Sequence, residues 1–288
     1  MRKKTLLLLL SSAAALTMSL LAGTGGTAAE TVSLPVVMYH HISEDSAILG
    51  PYVISPEELE SDLRWLQENE YTSVTAEDLL SWQKGYAELP EKPVMITFDD
   101  GYESTLIYAQ PLLKKYNMRG VVAVIGSVAQ QYTVTEDHHV AYSHLNWKSL
   151  REMAADGTFE IQCHTWDMHR LEPRRGCCRM QGESEAAYHD ALAEDLIRFR
   201  DVCTRELGFG TDVLVIPYGA FTPETLAVAE ELGFRCVFTC EEKINQLTGQ
   251  TDELMRIGRF NRPSGPESEA FFSKWDQRSS SSSSVSAS

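Results

Sequence analysis

The chain has 288 residues, with 25 Lys and Arg against 41 Asp and Glu, for a formal charge of −16. That balance argues against nucleic acid as a partner, because such binding rests on clustered basic residues. The length fits one large α/β domain with ample core.

The N-terminus comes first in chain order. Arg2, Lys3 and Lys4 precede an apolar run from Leu6 to Ala22, and small residues follow through Ala28 and Ala29. This is the charged, apolar and cleavable order of a secretory signal peptide. A membrane anchor is the competing reading, since the run approaches the roughly 18 to 20 residues that span a bilayer. Its serines and small residues favour cleavage. We expect a signal over 1–29, a secreted or cell-envelope location, no membrane span after cleavage, and one folded domain over 30–276.

Beyond the signal, short β-branched or aliphatic runs alternate with capped amphipathic segments. Strands are predicted at Pro35–Tyr39, Val94–Phe98, Val121–Ile125, Phe159–Cys163, Val213–Ile216, Cys236–Thr239 and Met255–Phe260. Ser55-Pro56-Glu57-Glu58 supplies a capping hydroxyl, a first-turn proline and a third-position carboxylate, so a helix follows with Leu59, Leu63 and Leu66 inward. Asn146 opens a helix that Gly157 closes, Ser184 begins a long one ending at Gly208, and Thr222-Pro223-Glu224 begins another ending at Gly233. The segments Ser127–Leu145 and Arg170–Glu183 lack periodicity and read as loops, and the Ser-rich 277–288 reads as a disordered tail. About seven strands alternating with helices predict a parallel sheet, by preference closed into a barrel. Cys163, Cys177, Cys178, Cys203, Cys236 and Cys240 permit disulfides in an exported protein, but the sequence cannot choose a pairing.

Two polar clusters sit where apolar runs end, the edge at which parallel α/β folds build their sites. One is Thr97-Phe98-Asp99-Asp100-Gly101. The other is His164-Thr165-Trp166-Asp167-Met168-His169. One carboxylate and two imidazoles make a metal site with open positions for water and substrate, and a second carboxylate beside it can act as base. The two histidines are five apart, so they must converge through a strand end and a loop rather than along one helical face. Each cluster alone is weak, since Asp-Asp-Gly is usually a turn and a lone His usually structural. Together they point to hydrolysis.

The pattern Thr97-Phe98-Asp99-Asp100-Gly101, then Glu160-Ile161-x-x-His164-Thr165 with His169, then Pro217-Tyr218-Gly219, resembles the polysaccharide deacetylase family, also called NodB-homology or carbohydrate esterase family four. The opening Leu34-Pro35-Val36-Val37-Met38-Tyr39-His40-His41-Ile42 and the histidine spacing are similar to the subgroup containing poly-N-acetylglucosamine deacetylases. The resemblance implies a distorted (β/α) barrel with about seven parallel strands. It implies Asp99 as general base, one divalent ion, commonly zinc, on Asp100, His164 and His169, and the Tyr218 backbone N–H facing the oxyanion. It also implies N-acetyl groups of a polysaccharide as substrate.

Two departures from the family pattern matter. No His follows His189, so the usual C-terminal histidine motif is missing, and the resemblance nominates His40 as general acid. Strand alternation disfavours its neighbour His41. The residues before Pro217, Val215 and Ile216, are apolar where many relatives carry an arginine that orients the base. Arg256 or Arg259 could take that place from the last strand. Cys163 should point away from His164, and His138, His139 and His144 fall in a loop that could line a substrate groove or simply face solvent. The competing functions are an O-acetyl esterase on xylan-like or peptidoglycan sugars and a non-catalytic glycan-binding protein on the same scaffold. Oligomeric state is not legible.

Overall fold

The computed structural model describes residues 31–282; the expected signal over 1–29 lies outside the described residues. The described residues from Thr31 onward belong to one compact unit. Its centre is a sheet of seven strands: β1 (Val36–Tyr39), β2 (Pro93–Phe98), β3 (Gly120–Val124), β4 (Phe159–Cys163), β5 (Val213–Val215), β6 (Cys236–Phe238) and β7 (Phe260–Asn261). Every pairing along the order β6-β5-β4-β3-β2-β1-β7 is parallel. The residues just before β7 run along β6: Ile257 donates to the Val237 carbonyl at 2.9 Å and accepts from Thr239 N–H at 2.8 Å. Because β7 itself pairs with β1, the Ile257–Asn261 segment joins the two ends of the sheet, giving the closed parallel sheet that the alternation favoured and the distorted (β/α) barrel that the resemblance implied.

Eight helices are described: α1 (Pro56–Glu68), α2 (Ala76–Gln83), α3 (Gln110–Lys115), α4 (Gly126–Thr135), α5 (Trp147–Asp156), α6 (Glu185–Leu207), α7 (Pro223–Glu231) and α8 (Ser268–Ser282). The predicted starts hold. Ser55 and Glu58 make a reciprocal capping box on α1, and Asn146 and Ser184 cap α5 and α6 through their side chains. Gly157 and Gly208 close α5 and α6 at φ 80° and 86°, conformations that cost a glycine nothing. Among the described residues no helix is long and apolar enough to cross a membrane.

Strand parity builds the core and aims the site. On β2, Val94, Ile96 and Phe98 pack outward under the helices, while Met95 joins an inner cluster with Val36, Val121, Ala123, Val213, Val215, Cys236 and Phe238. The period of two therefore turns Thr97 and Asp99 toward the barrel interior, and likewise Met38 and His40 from β1 and Gln162 and His164 from β4. Cys163 packs outward with the helix-facing cluster, as alternation predicts. All six cysteines are free thiols.

Two expectations need correction. The first turns of the supposed loop Ser127–Leu145 belong to α4, which has no capping side chain and buries only Gly126 and Ala129, so neither cap nor periodicity announced it. Gly126 is dictated by packing: a Cβ there would lie 2.5 Å from Trp166 and 2.9 Å from Phe199. Met255 lies in a 3-10 turn, Asp252–Arg256, and only Phe260–Asn261 pair as a strand in place of Met255–Phe260. Helix α8 runs to Ser282, and its Phe272 stacks on Trp65 at 4.7 Å. Residues 283–288 lie outside the described residues.

Candidate metal centre and acid–base site

The site lies at the carboxyl ends of β1, β2 and β4 and in the loops that follow. Asp100 leaves β2 with φ 68°, a left-handed conformation that aspartate tolerates better than most residues. Its Oδ1 sits 3.3 Å from His164 Nε2 and 3.1 Å from His169 Nε2. One ligand atom from each of the three residues lies within 4.8 Å of the others.

Second contacts fix the imidazoles. His164 Nδ1 faces the Val215 carbonyl at 2.8 Å, which requires the proton on Nδ1 and leaves the Nε2 lone pair pointing at Asp100. His169 Nδ1 meets the Tyr218 hydroxyl at 3.1 Å. Asp100 Oδ1 is buried and accepts no hydrogen bond of good geometry despite its two nitrogen neighbours. Lone pairs facing one another at this range call for a shared positive charge, either protons or a metal ion. The carboxylate and two imidazoles suit a divalent ion such as zinc. Burial would raise the Asp100 carboxyl, yet the two imidazoles hold it well below the usual range; burial would lower His164, yet Asp100 and Asp99 raise it.

The neighbouring carboxylate has a different partner. Arg259 Nη1 and Nη2 donate to the two Asp99 oxygens at 2.7 and 2.9 Å, both residues being buried. The Thr239 carbonyl and Thr97 Oγ1 take further guanidinium protons at 3.0 and 3.2 Å, so the fork is held in place. Burial pushes the Asp99 carboxyl up, but Arg259, with His164, outweighs it and holds the group below its ordinary value. Of the two candidate arginines, Arg259 is therefore the partner; Arg256 is exposed and pairs with Glu241 at 3.1 Å.

His40 and His41 divide as alternation predicted. His40 lies close enough to Asp99, Asp100 and His164 to share their field, its buried Nδ1 has no hydrogen-bond partner, and burial lowers its pKa by more than the two carboxylates restore. His41 turns away, its Nδ1 at 2.9 Å from Ser104 Oγ. Of the loop histidines, His138 and His139 make contacts elsewhere, whereas His144 lies close enough to Asp100 and His169 to share their field. His138 contacts Glu103 at 2.7 Å, and His139 stacks on Tyr142. His144 stacks on Tyr102 at 4.4 Å, and burial lowers its pKa to about 4.

Two participants were not foreseen. The Tyr218 side chain, and not only its backbone, belongs to the site through His169. Asp195, in the middle of α6, accepts from the N–H groups of Trp166 and Asp167 at 2.7 and 2.8 Å and so holds the loop between the two histidines. Nothing in the sequence separates it from other acids on that helix. The loop needs such support because Thr165, a β-branched residue, adopts φ 68°. Glu160, part of the recognised pattern, faces away from the ion site and accepts from the Glu77 N–H at 3.0 Å, placing a carboxylate at the start of α2.

Residues 86–237 match the polysaccharide deacetylase family. The chain is 30% identical over 209 residues to YxkH of Bacillus subtilis (strain 168), spanning 72% of this chain and 64% of that protein. It is 28% identical over 192 residues to the poly-beta-1,6-N-acetyl-D-glucosamine N-deacetylase of Staphylococcus aureus (strain MRSA252), spanning 67% and 62%. The chain thus spans less than two thirds of the length of these curated relatives. The structure of IcaB from Ammonifex degensii superposes with a TM-score of 0.68 at 27% identity, covering 85% of this chain and 97% of that one. The matched span covers both the Asp99-Asp100 pair and the His164–His169 cluster, and on that ground the chain belongs to the polysaccharide deacetylase family.

Proposed function

We propose that this chain is a metal-dependent hydrolase that removes N-acetyl groups from the amino sugars of an extracellular or cell-wall polysaccharide and releases acetate. The observation that carries the reading is the division of labour between adjacent carboxylates. Asp100 Oδ1 faces two imidazole nitrogens at 3.1 and 3.3 Å, while Asp99 is clamped by Arg259 beside them.

Asp100, His164 and His169 would hold one divalent ion, zinc by their chemistry, which supplies Lewis acidity toward water and the acetamide carbonyl. Asp99 takes the proton from the attacking water. Its bidentate pair with Arg259 occupies one lone-pair site on each oxygen, and each carboxylate oxygen has a second. The oxyanion that develops is met by the Tyr218 backbone N–H, at a turn that Pro217 and Gly219 fix. His40 donates a proton to the departing amine, a demand set by the poor leaving ability of nitrogen. The basic, apolar and small-residue order of 1–29 supports export to where such a polymer lies. The excess of acidic residues supports a glycan rather than a nucleic acid as partner.

The test is acetate release from N-acetylglucosamine oligomers by the purified chain. Release should vanish on chelation and return with zinc. An enzyme of proven metal content that frees no acetate from any N-acetylated glycan would refute the reading.

A further inference from the structure

Two tyrosine rings border the reacting groups and remain open to solvent. Tyr218 is 39% exposed and leans on His169 from the β5 side, ring centroids 4.5 Å apart. Tyr52 is 60% exposed and approaches from the β1 side, its ring edge-on to His40 with centroids 5.0 Å apart. The hydroxyl of Tyr218 already serves His169. Tyr52 differs, since among the described residues its side chain makes no hydrogen bond. Its backbone is nonetheless fixed. The Tyr52 carbonyl accepts from His41 N–H at 3.1 Å, and the next residue, Val53, pairs with His41. An isolated surface aromatic is ordinary. A ring on a fixed backbone beside the candidate acid, with more than half of its surface exposed, has the form of a sugar platform, because the C–H face of a pyranose is apolar and flat aromatic rings bury such faces at little entropic cost.

We infer that Tyr52 stacks on a sugar ring neighbouring the one that loses its acetyl group, and so makes the enzyme prefer oligomers to single sugars. The inference rests on the deacetylase reading and adds a specificity residue to it. Binding that is equal in ground and transition states lowers KM without raising kcat, so the platform acts on KM, and only for substrates long enough to reach it.

The experiment compares the zinc-loaded full chain with its Tyr52→Leu and Tyr52→Phe variants on a β-1,6-linked N-acetylglucosamine tetramer and on the monosaccharide. Calorimetric titration of the tetramer into the same variants on an Asp99→Asn background supplies a readout independent of turnover. Tyr52→Leu should raise the tetramer KM and Kd about fivefold to tenfold, as loss of one aromatic contact predicts. Its effect on kcat and on the monosaccharide should be much smaller than its effect on the tetramer KM, and Tyr52→Phe should behave as wild type. Equal tetramer KM and Kd in wild type and Tyr52→Leu would overturn the inference while the function stands. A fall in kcat on both substrates with a shifted pH profile would also overturn it, showing that Tyr52 only orients His40. Tyr52-dependent tetramer binding without acetate release would retain the platform and remove the deacetylase reading. Neither binding nor release would remove both.

Discussion

Arg259 and Asp99 stand 160 positions apart in the chain and meet as a buried, bidentate pair at 2.7 and 2.9 Å. Replacing Arg259 by Gln would leave the carboxylate buried without its countercharge, a change that costs about 3–5 kcal/mol in folded proteins. Arg259 is the main influence lowering the Asp99 pKa, so its loss lets burial raise that pKa. A base works when ionised, so the acid limb of kcat/KM should lie below the ordinary carboxylate range in wild type and move to higher pH in Arg259→Gln. Rate profiles from about pH 3 to pH 8, over the range in which the fold survives, together with a denaturant melt check both statements.

Tyr218→Phe isolates the hydroxyl from the backbone. His169 Nδ1 loses its 3.1 Å partner, whereas the peptide N–H of residue 218 stays. Outer partners of metal-binding histidines typically contribute about tenfold or more in affinity. Zinc affinity, measured by competition with a chromogenic chelator, should fall by about that factor, with kcat at saturating zinc little changed. Unaltered affinity would place the hydroxyl outside the metal centre.

Asp195 offers a stability test with a definite sign. Burial raises its pKa from 3.8 to about 6, against the pull of the Trp166 and Asp167 N–H groups. A group whose pKa is higher in the folded chain contributes stability below its unfolded value that is lost as pH rises through the folded one. The advantage of wild type over Asp195→Asn should therefore shrink between pH 4 and pH 6, by at most about 3 kcal/mol. Melting temperatures across that window read it directly, and a gap that widens would contradict the assignment.

His40→Gln separates amide from ester chemistry. An alkoxide leaves without much help and an amine does not, so turnover of N-acetylated sugars should fall about a hundredfold or more while matched O-acetylated sugars suffer far less. An equal loss on both would place His40 in binding or in the metal's surroundings. Negligible loss on both would remove it from the reaction and favour the esterase alternative.

Much of this site was legible because strand geometry is so regular. The parity that turned His40 inward and His41 toward Ser104 needs only the period of two, and the same rule sent Cys163 outward. Caps made α1, α5 and α6 readable at their first residue. What stayed hidden depends on contacts distant in sequence. Arg256 and Arg259 look alike until the 3-10 turn at Asp252–Arg256 carries the former out to Glu241 and leaves the latter in the barrel. Asp195 is one acid among several on α6, and only the folded loop shows which one finds Trp166 and Asp167. Helix α4 lacked both cap and amphipathic stripe, since its placement rests on a glycine fitted between Trp166 and Phe199.

The stave that seals the barrel, Ile257–Asn261, is also the one that delivers Arg259. On the proposed reading, translation makes both aspartates and both candidate ligand histidines well before Arg259, the countercharge of Asp99. A chain interrupted ahead of that stave would hold every ion-binding group and still lack a primed base. On the proposed function, the base would be readied only once this last stave is in place.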